Sequence, residues 1–160
     1  MARDARGGRP AGPKPRVQLA AVAVAVVFLL VGALGFVPGV TTGYDQLYGA
    51  GHQSGAKLFG VFQISILHNA VHLFFGLLGL VMARSLAGSR LYLAGGGAAY
   101  LGIWLYGFAI NQHGAANFLP VNNADNWLHL GLGFGMLVLG LLLSNRYGTG
   151  GRLDTPADRR

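Results

Sequence analysis

Cysteine is absent from the 160 residues, and charge is scarce: Asp, Glu, Lys and Arg together make up 11%, against roughly 25% in an ordinary soluble domain. The first absence excludes disulfides, iron–sulfur clusters, thiolate zinc sites and a thiol nucleophile. The second leaves too little polar surface to clothe a soluble fold. Also missing are a phosphate-loop pattern, a dinucleotide fingerprint and any Ser/His/Asp arrangement at catalytic spacing. No catalytic residue is identified, and the chain reads as a non-enzyme. What it does have is apolar: 52% hydrophobic residues and 27 glycines, far above the usual ~7% glycine and without a collagen-like period. Glycine inside apolar runs suits membrane helices whose backbones approach closely.

The length fits one domain. Apolar runs occupy 17–37, 58–83 and 91–110, and a shorter one at about 127–143 makes a full crossing if its helix begins a turn earlier, near Asp125. About 20 such residues cross a ~30 Å hydrocarbon layer. The expected fold is therefore all-α: an integral membrane four-helix bundle over 17–145, flanked by disordered tails at 1–16 and 146–160. With four crossings, both tails and the 84–90 connector share one side, and they hold every Lys and Arg except Lys57. The positive-inside rule makes that side cytoplasmic, which places the chain in the bacterial plasma membrane as a multi-pass protein. Tyr92 and Tyr147 fall at the inner boundary and Tyr106 and Trp127 at the outer one, where aromatic rings favour headgroups. The net charge of +7 is thus a matter of topology. It implies contact of the basic tails with anionic lipid, and no nucleic-acid partner. The basic start and Ala33-Leu34-Gly35 also fit a cleaved signal peptide, but the apolar run exceeds the ~7–15 residues of such a segment.

The stretch His68-Asn69-Ala70-Val71-His72-Leu73-Phe74-Phe75-Gly76 aligns without gaps on Asp125-Asn126-Trp127-Leu128-His129-Leu130-Gly131-Leu132-Gly133. Both fall in the outer parts of their helices, so two parallel hairpin repeats are expected, related by a pseudo-twofold axis along the membrane normal. Helices one and three share little beyond apolarity and glycine. Helical spacing places Ser65, His68, His72, Gly76 and Gly79 on one seam, and Asp125, His129, Gly133, Met136 and Gly140 on another. Asn69 and Asn126 flank them. Unpartnered polar groups in hydrocarbon cost on the order of 2–7 kcal/mol, so the two seams are expected to face each other.

Three readings of this cluster of Ser65, His68, Asn69, His72, Asp125, Asn126 and His129 stand side by side. It can be a structural network that fixes register, with Asp125 as a helix cap. It can bind a transition metal through His68, His72, His129 and Asp125, or haem through His72 and His129, one from each repeat. It can serve proton-coupled or small-solute transport. The structural reading has the simplest requirements. His52 and His113 read as exposed loop residues, and a homo-oligomer is compatible with all three readings.

Three stretches carry a resemblance: Gly-Ala-Leu-Gly-Phe-Val-Pro-Gly from Gly32 to Gly39, Leu-Phe-Gly-Val-Phe-Gln-Ile-Ser-Ile-Leu-His-Asn-Ala-Val-His from Leu58, and Ala-Asn-Phe-Leu-Pro-Val-Asn-Asn-Ala-Asp-Asn-Trp-Leu-His-Leu from Ala116. Through them the chain, over about 17–145, resembles a family of small bacterial membrane proteins known as domain of unknown function 4383. The resemblance implies a four-helix membrane protein and no established activity.

Overall fold

The computed structural model describes residues 15–143. The basic tails, apart from Pro15 and Arg16, lie outside the described residues, as does Tyr147. The chain is mostly helical, with α1 at Arg16–Leu34, α2 at Ile66–Met82, α3 at Leu86–Ala109 and α4 at Asn123–Leu142. Two of them, α1 and α4, are long and apolar enough to cross a membrane. Between α1 and α2 lie three two-residue strands, β1 at Thr41–Thr42, β2 at Lys57–Leu58 and β3 at Phe62–Gln63, paired antiparallel in that order.

The helix starts are set locally. Ser65 and Ser85 are extended, and their hydroxyls accept from His68 N at 3.1 Å and Gly88 N at 3.0 Å. Asn122 and Asp125 form a reciprocal capping box, Asp125 N donating to Asn122 Oδ1 (3.0 Å) and Asn122 N to Asp125 Oδ2 (2.8 Å).

The small sheet adds three two-residue strands to a mostly helical fold and shortens helix two. The apolar run at 58–83 is not helical throughout. Its first residues turn tightly at Phe59 and Gly60, both at positive φ (54° and 73°), before Ser65 starts the helix. Strands of two residues carry no alternation long enough to read from sequence. At 17 residues, α2 is about 26 Å long at ~1.5 Å per residue, just short of a full crossing.

Phe59 is the lone non-glycine residue at positive φ among the described residues, and it is 58% exposed. A bulky side chain in this region costs about 1–2 kcal/mol. Asparagine tolerates it. Phe59→Asn is therefore expected to raise the unfolding free energy by about 1 kcal/mol, read by thermal unfolding in detergent; a loss of stability would mean the ring packs more than it strains.

Helix α1 packs along α2 and α3 along α4, and contact between the two pairs is sparser. Close approach depends on glycine. A Cβ on Gly76 would come within 2.9 Å of the Ala25 carbonyl, and one on Gly133 within 2.9 Å of Leu101 N. The buried core is small, built around Ala21, Ala25, Phe28, Leu93, Tyr100 and Met136. Tyr92, expected at the headgroup boundary, is instead 3% exposed. It packs against Gly79, which leaves the ring room that a side chain would take.

Candidate functional site

The capped first turns of α2 and α4 deliver the polar residues to one place. Ser65, His68, Asn69, His72, Asp125, Asn126 and His129 are all buried. The His68 and His72 rings stack at 4.8 Å, and His129 lies 6.2 Å from His68. The two seams therefore meet.

Most of their hydrogen-bonding capacity is spent on backbone. His68 Nδ1 lies 3.0 Å from the Pro120 carbonyl, and His72 Nδ1 lies 3.0 Å from the His68 carbonyl. A carbonyl only accepts, so both rings donate through Nδ1 and present Nε2 as the acceptor of a neutral imidazole. Asp125 Oδ2 accepts from Gln63 N (3.0 Å) as well as from Asn122 N. Gln63 and Pro120 thus join the site from the loops preceding α2 and α4. Asn117, fully buried, holds the second loop by bridging Val121 N, Val121 O and Gln112 O.

Among the described residues, four buried side-chain polar atoms have no hydrogen-bond partner: Asn69 Nδ2, Asn126 Oδ1, Tyr92 Oη and His129 Nδ1. The two asparagines have parallel settings, since Asn69 lies over Gly35 and Asn126 over Gly107, where any side chain would collide. Beneath the imidazoles the packing turns aromatic. Phe28 lies 5.7 Å from His72, Tyr100 lies 5.3 Å from His129, and the Phe28 and Tyr100 rings meet at 5.2 Å.

A cavity of ≈ 170 Å³ opens beside the cluster. Its walls are Val31, Leu58, Phe59, Phe62, Ile64 and Leu128, together with His68, His72, Asp125 and His129. The four side chains read from the sequence as a metal set do share this cavity. They do not form a ligand set: among the described residues, no group of three or more His, Cys, Asp or Glu is arranged to hold a metal ion. Asp125 Oδ2 and the Nδ1 atoms of His68 and His72 are turned to backbone partners, whereas the Nε2 atoms are not. At ≈ 170 Å³ the cavity is smaller than the ~300–1,000 Å³ typical of pockets for drug-sized ligands.

The family model described as a domain of unknown function (DUF4383) matches residues 18–142. The chain belongs to that family. No curated protein and no solved structure matches it. The family carries no assigned activity, so the role of the cluster in this member rests on its atoms.

Gln63, Pro120, Phe28 and Tyr100 are site residues that seam counting along α2 and α4 does not find. The signal for the first two was available, since each stands five residues ahead of His68 or Asp125. Of the remaining histidines, His113 is exposed and His52 half-buried. Neither lines the cavity.

Proposed function

We propose that this protein is a multi-pass integral membrane protein of the bacterial plasma membrane, with cytoplasmic termini and no enzymatic role. Its four helices form a bundle of two pseudo-repeated hairpins, and its His/Asn/Asp cluster is a structural lock between their outer ends. The observation that carries the lock is a reciprocal pair of ties. His68 of the first hairpin donates to the Pro120 carbonyl ahead of α4, while Asp125 of the second accepts from Gln63 N ahead of α2.

The two ties are equivalent under the repeat. Ser65 and Asn122, both helix caps, are 57 positions apart, as are Gln63 and Pro120, His68 and Asp125, and His72 and His129. Proline has no N–H, so position 120 offers only an acceptor and its partner must donate, as a histidine does. Gln63 offers its N–H, so its partner must accept, as a carboxylate does. The difference between His68 and Asp125 is thus what a duplicated contact requires.

Helices α1 and α3 support the duplication at a spacing of 72. Phe28 and Tyr100 stand on His72 and His129. Ala25 with Leu29 flanks Gly76 as Gly97 with Leu101 flanks Gly133, and Gly35 seats Asn69 as Gly107 seats Asn126.

Membrane placement of all four helices is supported by an inverted surface. Each turns large apolar side chains outward, with Leu30 55%, Phe74 61%, Leu105 56% and Phe134 63% exposed, while the polar side chains are inside. Soluble monomers rarely show apolar faces on this scale. The transport reading draws no support from the aromatic packing beneath the imidazoles.

Topology is tested with single cysteines in the cysteine-free chain. Ser54, in the outer loop, and Ser89, in the first turn of α3, are fully buried and unsuitable, whereas Ala50 and Ala87 are exposed. In intact cells an impermeant thiol reagent is expected to label Ala50→Cys and to reach Ala87→Cys only after lysis. Labelling of both would overturn the four-crossing arrangement, and the reverse order would invert its orientation.

A further inference from the structure

We propose that the cavity is a binding site for a single phenolic ring, held by apolar walls and by a hydrogen bond from the ring's hydroxyl to the imidazole pair of His72 and His129. The site goes beyond the structural lock, because it uses the histidine pair that the lock leaves over. His68 and Asp125 are committed to the opposite loops. His72 donates through Nδ1 to its own helix, which leaves Nε2 as an acceptor. His129, 3% exposed, has an Nδ1 without a partner.

Size and chemistry select the ligand. An apolar protein cavity of about 150 Å³ takes up benzene, and this one measures ≈ 170 Å³, enough for one six-membered ring with a hydroxyl. Val31, Leu58, Phe62, Ile64 and Leu128 offer the ring no hydrogen bonds through their side chains. The acceptors all stand on the α2 and α4 walls, so a donor on the ring is what the site can reward. Phe59 lines the cavity while remaining largely exposed, and so provides an edge across which a substituent can pass outward. The same ring chemistry is offered by free phenols and by phenolic head groups on long apolar tails.

The test uses the full chain in lipid nanodiscs, with para-fluorophenol and fluorobenzene followed by fluorine NMR against empty discs. Wild type is expected to bind para-fluorophenol saturably and fluorobenzene about fivefold more weakly, the loss of one hydrogen bond. His72→Phe and His129→Phe are each expected to weaken that preference. Leu128→Trp, at a half-buried position, should abolish binding of both by filling the cavity. A long-chain alkyl fluorophenol captured beyond its partitioning into empty discs would assign the ligand to the membrane; equal capture would assign it to free phenols. No saturable difference from empty discs, equal binding of phenol and fluorobenzene, or an unaffected Leu128→Trp would overturn the proposal. Co-elution of chain and discs reports insertion separately, so failure of the membrane reading is distinguishable from failure of the site.

Discussion

Asp125→Ala is expected to lower the unfolding free energy by about 2–4 kcal/mol, the largest loss of any single change in the polar cluster. The side chain serves two elements at once. It closes the capping box of α4 with Asn122 N and holds β3 through Gln63 N. Truncation strands two partly buried backbone donors, each costing about 1–3 kcal/mol when fully buried. Asp125→Asn keeps an acceptor oxygen and should cost roughly 1 kcal/mol, the difference between a charged and a neutral acceptor. At the equivalent position the donor and acceptor requirements are reversed. His68→Asn can still donate to the Pro120 carbonyl, whereas His68→Asp sets one acceptor against another. Exchanging the two residues, His68→Asp with Asp125→His, is therefore expected to be worse than either alanine change. Denaturant unfolding in detergent, followed by circular dichroism, gives the ranking. If the exchanged protein were as stable as wild type, the complementarity assigned to the two ties would be wrong.

The other large effect concerns the α3–α4 contact. A Cβ on Gly97 would lie 2.6 Å from Leu137 N and 2.7 Å from the Gly133 carbonyl, and one on Gly133 would lie 3.0 Å from the Gly97 carbonyl. Each glycine is thus opposed by backbone, which cannot swing aside as a side chain can. Gly133→Val is expected to cost about 3 kcal/mol, at the upper end for overpacking, and to push α4 away from α3. Gly102 and Gly131, on the same two helices, have nothing within 4 Å of a Cβ. Alanine there should stabilise by about 0.5–1 kcal/mol through reduced backbone entropy. Thermal midpoints of the three variants provide the check. Equal tolerance at Gly133 and Gly131 would mean the close approach of α3 and α4 is not sustained in lipid.

Repeat signals differed in legibility for a chemical reason. Between α2 and α4 the proposed repeat retains letters, with Asn69 and Asn126, His72 and His129, Gly76 and Gly133 identical, and it is visible by alignment. Between α1 and α3 it retains only shapes. Phe28 answers Tyr100 and Ala25 answers Gly97, each pair doing the same packing with different residues, so the spacing emerges only from the contacts beneath the histidines. The helix at 58–83 is a similar case. An apolar run reports burial or lipid contact but not backbone geometry, and the positive φ at Phe59 and Gly60 is a property of a turn that phenylalanine does not announce.

The sequence by itself determined that the chain is apolar, rich in glycine, without cysteine chemistry, and that its polar residues on two helices must find each other, since periodicity and composition are local quantities. Tertiary structure decided which groups those residues meet. Whether His68 faces a metal or the Pro120 carbonyl, and whether Asp125 is a ligand or a clamp on Gln63, depends on residues 52 and 62 positions away. The cavity beside His72 and His129 was likewise beyond reach, because an empty volume is defined by where six apolar side chains from separate elements stop.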